Sequence, residues 1–243
     1  MTDRKVALIT GASAGIGEAA ARALVKEGYF VALLARREER LRALQRDLGE
    51  TNTLVLPCDV TDSAAVAAAV GRLAEATGRI DLLLNNAGVM WVGKFLELPA
   101  SSDEQQVGAN LLGVIYVLRA VLPVMEKQGA GLVINVSSML GRFAWENAAV
   151  YVATKHAVTG MTDSLRRQYA PDGKIRFVCL QPGIAETELH DSQGIAFADY
   201  QQSCKIEAPL TARDVAEAVL YIARQPAHVT ISELTLRPAT QVR

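Results

Sequence analysis

Tyr151 and Lys155 have the types and the spacing that proton transfer near neutral pH needs. They stand four residues apart in an alanine-rich stretch of helical character, so they share one face of a helix. A phenol with an ordinary pKa of about 10 is a poor proton donor or acceptor near pH 7, but a neighbouring ammonium lowers that pKa. Tyr151 is therefore a candidate general acid for carbonyl reduction and general base for alcohol oxidation. An exposed Tyr/Lys pair on a helix surface is the alternative interpretation.

Two adjacent serines, Ser137 and Ser138, follow the apolar segment Leu132 to Val136, and Ser138 lies thirteen residues before Tyr151. Ligands of open α/β sheets bind beyond the carboxyl ends of the strands, where such residues lie. A hydroxyl there could donate a hydrogen bond to a carbonyl oxygen and stabilise the charge that develops on it. Either serine could instead cap a turn or a helix.

A glycine-rich turn follows the first apolar segment and precedes an alanine-rich helix, Glu18 to Lys26. Its glycines let backbone N–H groups approach a pyrophosphate, and the helix N-terminus adds partial positive charge. The turn therefore predicts dinucleotide binding, with a tight turn of no such function as the alternative. Its candidate binding residues are Gly11, Ser13, Ala14, Gly15, Ile16 and Gly17.

Two arginines, Arg36 and Arg37, occupy the region where NAD-binding units carry an acid for the ribose 2′-hydroxyl. A guanidinium suits a 2′-phosphate, and the residue before them is Ala35 rather than an acid. The pair favours NADP(H) over NAD(H). A solvated helix start is the alternative, because Glu38 and Glu39 follow directly.

Seven short apolar segments alternate with amphipathic stretches along the chain, and they predict β-strands. This alternation predicts an α/β fold of Rossmann type: a doubly wound, parallel, seven-stranded sheet with helices on both faces. Since no linker or repeat interrupts it, we expect residues 1–243 to form a single domain. The predicted strands are Val6–Thr10, Phe30–Ala35, Thr53–Leu56, Ile80–Leu84, Leu132–Val136, Ile175–Leu180 and Leu234–Leu236.

The composition argues against several other classes of protein. The formal net charge is −1 and basic residues alternate with acidic ones, so we expect no nucleic-acid partner. Cys58, Cys179 and Cys204 lack the spacing of metal ligands, and reduced thiols fit a cytoplasmic protein without a metal site. The polar start and the lack of an uncharged apolar run of about 18 residues predict neither a signal peptide nor a membrane span.

Taken together, these residues make the chain resemble a short-chain dehydrogenase/reductase from end to end. The pattern occurs in the order and approximate spacing of that family. The matching pieces are Thr10-Gly11-x-x-x-Gly15-x-Gly17, Asp59-Val60, Asn85-Asn86-Ala87-Gly88, Asn110, Ser138, Tyr151-x-x-x-Lys155 and Pro182-Gly183.

The resemblance implies a role for each member of a catalytic tetrad. Ser138 would position the substrate carbonyl and Tyr151 would transfer the proton. Lys155 would lower the pKa of the tyrosine and bind the nicotinamide ribose. Asn110, in the predicted helical segment Asp103 to Glu126, would hold a water molecule that links Lys155 to solvent.

The same resemblance implies further cofactor contacts and a substrate lid. Asp59, with Val60 beside it, would contact adenine, and Asn86, Ala87 and Gly88 would line the cofactor cleft. Pro182, Gly183, Ile184 and Thr187 would close over the nicotinamide. The lid would run from about 184 to 207, where the roles of His190, Phe197, Tyr200 and Cys204 stay open.

The chain end, Ile231 to Arg243, and the stretch Asn147 to Tyr151 are similar to a subgroup with clavulanic acid dehydrogenase and NADP-dependent 3-hydroxy acid dehydrogenases. This similarity implies a small polar or aldehyde substrate. Arg142 could receive a substrate carboxylate, although a structural ion pair is the preferred interpretation. Candidates to line an apolar pocket are Met90, Trp91, Met139, Phe143 and Trp145.

We therefore expect an NADP(H)-dependent oxidoreductase that interconverts an aldehyde or ketone and an alcohol. The expected partners are a small carbonyl or alcohol substrate and further copies of this chain. The resemblance implies a homotetramer or homodimer built on Asp103 to Glu126 and Ala149 to Tyr169. A dehydrogenase of 3-hydroxy acids or alcohols is the first alternative. A non-catalytic NADP-binding regulator is the second, and the complete tetrad disfavours it.

Overall fold

The computed structural model describes residues 4–189, 197–203 and 206–241, and its centre is a parallel sheet of seven strands. The strand order is β3-β2-β1-β4-β5-β6-β9. The chain crosses from β3 back to β4 beside β1, which opens a crevice at the carboxyl ends of the strands. The strands are β1 (Val6–Thr10), β2 (Phe30–Ala35), β3 (Thr53–Pro57), β4 (Leu82–Asn85), β5 (Gly131–Val136), β6 (Ile175–Pro182) and β9 (Glu233–Leu236).

All seven strands were predicted, and the predicted α/β class is confirmed. The largest difference lies at β4, which begins at Leu82 and not at Ile80. Asp81 is the reason, because its carboxylate accepts a hydrogen bond from the backbone N–H of Val6 at 2.8 Å and pairs with Arg79. A short second sheet of β7 (Ala185–Glu186) and β8 (Leu210–Thr211) was not predicted, since two residues show no periodicity.

Helices cover both faces of the large sheet and bury one apolar cluster on each. On one face α1, α2 and α8 pack through side chains such as Leu24, Leu41 and Val219. On the other face α3, α5 and α6 pack through Leu73, Val117 and others. The helices are α1 (Gly15–Lys26), α2 (Glu38–Leu48), α3 (Ser63–Thr77), α4 (Ala100–Val107), α5 (Gly113–Gln128), α6 (Ala149–Tyr169), α7 (Phe197–Ser203) and α8 (Ala212–Ala223).

A short π-helical segment, Gly108–Leu112, joins α4 to α5 and carries Asn110. The combined helix Ala100–Gln128 is long and apolar enough to cross a membrane by length and composition. Its buried residues Val117 and Val121 belong to a core cluster beneath the sheet. The helix is therefore apolar because it is a core helix of the fold.

The segment expected to form a lid is described in part. The first residues of this segment include strand β7, which pairs with β8. Helix α7 lies in the second half of the segment. Phe197 packs against a small apolar cluster that contains Met90 and Tyr151. His190 and Cys204 lie outside the described residues, as does the side chain of Tyr200.

Candidate active site

A cleft of about 1680 Å³ lies at the carboxyl ends of the parallel strands. It brings together residues from all the predicted motifs, whereas Gly17 and Asn110 lie behind its walls. The predicted site residues that line it are Gly11, Ser13, Ala14, Gly15, Ile16, Arg36, Arg37, Asp59, Val60, Asn86, Ala87, Gly88, Ser138, Tyr151, Lys155, Pro182, Gly183, Ile184 and Thr187.

The glycine turn between β1 and α1 depends on the absence of side chains at defined positions. Gly11 has φ +67° and Gly15 has φ +55°, backbone conformations that residues with a Cβ rarely adopt. Gly17 has no such φ, but a Cβ there would overlap the carbonyl oxygen of Gly11. The turn thereby brings the start of α1 against the end of β1.

The N-terminus of α1 faces the cleft without a side-chain cap. The residue before the helix is Ala14, and no described side chain accepts a hydrogen bond from the first turn in its place. By contrast, Asp62 caps α3 and Thr211 caps α8. The free N–H groups of α1 and its partial positive charge are therefore available to an anion. This cradle fits the pyrophosphate of a dinucleotide.

Thr10 fastens the next loop to this turn. Its hydroxyl accepts hydrogen bonds from the backbone N–H groups of Asn86, at 2.9 Å, and Ala87, at 3.0 Å. The side-chain amide of Asn86 donates to the carbonyl oxygen of Thr10 at 3.1 Å. The segment Asn86 to Gly88 is thus held beside the glycine turn.

Three arginines gather at the other side of the glycine turn. Arg37 donates from Nε and Nη2 to the hydroxyl of Ser13, at 3.1 and 3.0 Å. Arg37 and Arg40 also donate to the carboxylate of Glu188, at 2.7 and 2.6 Å. Arg36 lies 3.9 Å from the carboxylate of Asp59, whose other oxygen accepts from Thr61. Sequence reasoning missed Arg40 and Glu188, for which no local motif gives a signal.

The two serines after β5 have different surroundings. Ser137 is committed to the fold: its hydroxyl bonds the carbonyl oxygen of Lys155 at 2.9 Å and the hydroxyl of Thr159 at 2.8 Å. Ser138 accepts a hydrogen bond from the backbone N–H of Leu140 at 3.1 Å, and its hydroxyl bonds Tyr151. Ser138 thus caps the turn and also lines the cleft, so its capping role is confirmed and its role in the site stays a prediction.

Tyr151 and Lys155 are both buried on the face of α6 that points into the cleft. The Lys155 Nζ atom lies 5.5 Å from the centre of the Tyr151 ring and donates to the carbonyl oxygen of Val136 at 3.0 Å. The exposed-pair interpretation is wrong for these two residues, since the exposed fractions are 5% for each.

Burial sets the protonation of this pair, and the direction differs from the expectation for the tyrosine. Burial raises the pKa of Tyr151 to about 12, while its hydrogen bond with Ser138 acts in the opposite sense. Burial also lowers the pKa of Lys155 to about 8. The lysine does not lower the tyrosine pKa here, because its ammonium is directed to Val136 and the cost of burying a phenolate dominates.

Asn110 is fully buried and bonds the chain segment beside Lys155. Its side-chain oxygen accepts from the N–H of Val89 at 2.8 Å and its amide donates to the carbonyl oxygen of Val89 at 2.9 Å. A Cβ at Gly88 would lie 2.9 Å from the Asn110 oxygen and 3.9 Å from Lys155 Nζ. The π-helical segment therefore places Asn110 directly behind the Gly88 wall of the cleft.

The wall beside Ser138 and Tyr151 is largely apolar. Four of the five predicted pocket residues line it, and Trp91 does not. Among the described lining residues of the whole cleft, Asp59, Glu104, Glu146 and Glu188 are acidic, and Arg36, Arg37 and Lys155 are basic. The apolar lining residues are Met90, Met139, Leu140, Phe143, Trp145, Ile184, Leu189 and Ile206.

Arg142 does not line the cleft and pairs with Glu233 at the start of β9. This contact agrees with the prediction that Arg142 forms a structural ion pair. His156 likewise faces its own helix, with Nδ1 at 2.9 Å from the carbonyl oxygen of Val152.

A dinucleotide cradle and a buried Ser/Tyr/Lys group at one sheet edge define the class of nucleotide-dependent oxidoreductases. A model of the short chain dehydrogenase family matches residues 5–195. An uncharacterized oxidoreductase of Staphylococcus haemolyticus is 36% identical over 234 residues, which cover 96% of this chain and 97% of that protein. The chain belongs to the short-chain dehydrogenase/reductase family, whose members act on CH–OH and C=O groups with NAD(P).

Solved structures of similar proteins share the fold. A closed form of serine dehydrogenase complexed with NADP+ is 31% identical with a TM-score of 0.91, covering 98% of this chain and 96% of that one. A 3-ketoacyl-(acyl-carrier-protein) reductase of Brucella melitensis complexed with NADH is 29% identical with a TM-score of 0.88, covering 98% of both chains. One of these neighbours is complexed with NADP+ and the other with NADH. The similarity therefore does not decide which of the two cofactors this chain prefers.

Replacing Gly17 with alanine tests the cradle. The new Cβ would overlap Gly11 O, so the turn must open and dinucleotide affinity should fall by about tenfold or more, a loss of about 1.4 kcal/mol. Calorimetric titration with NADP+ and NAD+ measures it.

Gly71→Ala is the matched control, because Gly71 lies in helix α3 with nothing within 4 Å of its Cβ position. This variant should keep its affinity and gain about 0.5–1 kcal/mol of unfolding free energy. Equal affinities of the Gly17→Ala and wild-type proteins would contradict the role of the turn.

Proposed function

We propose that this protein is an NADP(H)-dependent carbonyl reductase in which Tyr151 transfers the proton. The observation that carries the proposal is the buried group of Ser138, Tyr151 and Lys155 at the inner end of a dinucleotide cleft. A non-catalytic binding protein has no need to bury an ionisable pair at that place, since burial costs free energy.

The three side chains divide the work on the substrate. Ser138 donates a hydrogen bond to the carbonyl oxygen, because that oxygen can only accept and the bond from Leu140 leaves the O–H of Ser138 as a donor. Tyr151 keeps its proton at neutral pH, which suits a general acid. Lys155 stabilises the phenolate that forms and binds the nicotinamide ribose. Bound NADPH supplies the hydride.

Asn110 acts on this group from behind. Its amide is committed to Val89, so we assign the water link from Lys155 to solvent to the backbone of the π-helical segment. Such segments widen a helix locally and recur at functional sites. Asn110 then serves as the residue that fixes the segment in place.

The preference for NADP(H) rests on the arginines after β2. Arg37 already contacts Ser13 in the glycine turn, and Arg36 lies beside Asp59, which together with Val60 would receive the adenosine. Ala35 leaves no carboxylate at the end of β2 to bind a ribose 2′-hydroxyl. A 2′-phosphate would meet cationic donors here. The remaining contacts, from Asn86 to Gly88 and from Pro182 to Thr187, would hold the nicotinamide half.

The apolar wall favours a small neutral aldehyde or ketone, which differs from the small polar substrate that the subgroup similarity implies except where that substrate is an aldehyde. A carboxylate of a 3-hydroxy acid would enter a cleft whose described lining includes Glu104, Glu146 and many apolar side chains. The serine dehydrogenase likeness keeps the hydroxy acid dehydrogenase as the second candidate. Burying an unpaired carboxylate in such a wall is costly, which ranks it second.

We further propose a cytoplasmic homotetramer or homodimer, without a nucleic-acid or membrane partner, with α4, α5 and α6 at the subunit contact. Val107 and Leu112 support this arrangement, since 37% and 39% of their surfaces are exposed on the helix that carries Asn110. The segment 184–207 would form the substrate lid of each subunit.

The function is tested by following NADPH oxidation with a panel of neutral aldehydes, neutral ketones and 3-oxo acids. Neutral carbonyls should give the higher kcat/KM, because the described lining residues Glu104 and Glu146 would repel an acid. Tyr151→Phe should lower kcat by about 10²- to 10⁴-fold with cofactor affinity nearly unchanged. Turnover retained in Tyr151→Phe would contradict the mechanism, and higher kcat/KM for the acids would select the second candidate.

Replacing Arg36 with aspartate tests the cofactor preference. The substitution removes a cation and adds an acid at the expected 2′-phosphate, so the NADPH-to-NADH ratio of kcat/KM should fall about tenfold or more. Arg46→Asp makes the same charge change on the exposed surface of α2, away from the cleft, and should leave the ratio unaltered. An unaltered ratio in Arg36→Asp would refute the role of this side chain.

The pH profile of carbonyl reduction should follow Lys155. Its pKa of about 8 means that the ammonium loses its proton as the pH rises through that value, while Tyr151 stays protonated. The kcat/KM for the carbonyl should therefore decline from pH 7 to pH 9 with an apparent pKa near 8. Residual activity of Lys155→Arg should lack this decline, because a guanidinium keeps its charge. A flat wild-type profile would count against the lysine's part.

A further inference from the structure

Glu188 joins the start of the expected lid to the arginines of α2. Its carboxylate accepts from Arg37 Nη1 at 2.7 Å and from Arg40 Nη1 at 2.6 and 2.8 Å. These hydrogen bonds connect Glu188 to residues that precede it in the sequence by 148 positions, for Arg40, and by 151 positions, for Arg37. Neither Arg40 nor Glu188 belongs to the motifs that predict the site.

The same Arg37 guanidinium also holds the glycine turn. While Nη1 serves Glu188, its Nε and Nη2 atoms donate to the Ser13 hydroxyl at 3.1 and 3.0 Å. All three nitrogens of this guanidinium therefore have acceptors on the protein. Three of its five N–H donors are used in this way, so an anion arriving beside Ser13 would share the guanidinium with Glu188.

Glu188 is an anion at neutral pH. Hydrogen bonds from Arg40 and then Arg37 hold the pKa of its carboxyl below the ordinary value. The ion pairs are partly exposed, so solvent and salt weaken them and they can exchange partners. A phosphate placed at the same guanidinium would stand close to a second negative charge.

We propose that Glu188 competes with the 2′-phosphate of NADP(H) for Arg37 and Arg40 and so determines how strongly the chain prefers the phosphorylated cofactor. The inference rests on the proposed NADP(H) preference. It assigns the discrimination to a residue of the lid as well as to the arginines. NAD(H), which lacks this phosphate, would leave the ion pairs in place.

Linkage makes the effect reciprocal. If the carboxylate weakens phosphate binding, phosphate binding weakens the hold of the arginines on Glu188 by the same factor. The residues on either side of Glu188 lie on the cleft: a Cβ at Gly15 would contact Thr187 at 3.2 Å, and Leu189 packs in the cluster with Tyr151. Glu188 is therefore flanked by one residue at the glycine turn and one residue at the apolar cluster around Tyr151.

Calorimetric titration of Glu188→Gln with NADP+ and NAD+, without substrate, tests the proposal. Glutamine keeps the shape and the hydrogen-bonding oxygen but removes the charge. NADP+ affinity should rise about fivefold or more, within the ordinary range of coupling between sites, and NAD+ affinity should change less than twofold. The gain should shrink at high salt, where exposed charges are screened.

Glu186→Gln is the matched control, since Glu186 is an exposed carboxylate two residues away and does not line the cleft. It should change neither affinity, and thermal unfolding should show both variants folded. An unchanged or lower NADP+ affinity in Glu188→Gln overturns the proposal, as does an equal gain for both cofactors.

The wild-type protein separates this proposal from the one it rests on. If wild type prefers NADP+ and Glu188→Gln leaves its affinity unaltered, the competition fails and the cofactor assignment stands. If wild type binds both cofactors equally and the variant does too, the cofactor assignment fails and takes the competition with it.

Discussion

The contact between the end of β5 and the second turn of α6 holds Ser138, Tyr151 and Lys155 in place. Lys155 donates from its ammonium to the carbonyl oxygen of Val136, and Ser137 bonds the backbone carbonyl of Lys155 in return. These two bonds cross the same gap in opposite directions, so helix and strand cannot slide independently. Because Ser138 and Tyr151 lie beside them, their hydrogen bond follows from this junction.

The junction is buried, and burial acts on the two ionisable groups in complementary ways. Burial disfavours a phenolate at Tyr151 and an ammonium at Lys155. It therefore raises the pKa of the tyrosine and lowers the pKa of the lysine, and each shift favours the neutral form. A neutral phenol is the form that donates a proton during reduction. The lysine with a pKa of about 8 stays largely charged at pH 7, so the anion formed by proton donation has a cation nearby.

Local patterns in the sequence predict the elements of this fold well and its long-range contacts poorly. The strands are recognisable because each is a continuous apolar run buried on both faces, as in β2. The four-residue spacing places Tyr151 beside Lys155, but it carries no information on depth, and depth reverses the expected shift of the tyrosine pKa. The contact of Glu188 with Arg40 joins segments 148 residues apart, so no local pattern encodes it.

The cleft has partly exposed ion pairs at one end and buried ionisable groups at the other, and one short chain segment runs between them. At the outer end, the partly exposed Arg37 and Arg40 share the carboxylate of Glu188, and solvent weakens such ion pairs. At the inner end, Tyr151 and Lys155 are buried, and Lys155 donates a hydrogen bond to the backbone of Val136. The residues from Ile184 to Leu189 run between them, since Thr187 faces the glycine turn and Leu189 joins the cluster around Tyr151. The ion pairs at the outer end and the apolar cluster around Tyr151 are therefore joined by six consecutive residues of one chain segment.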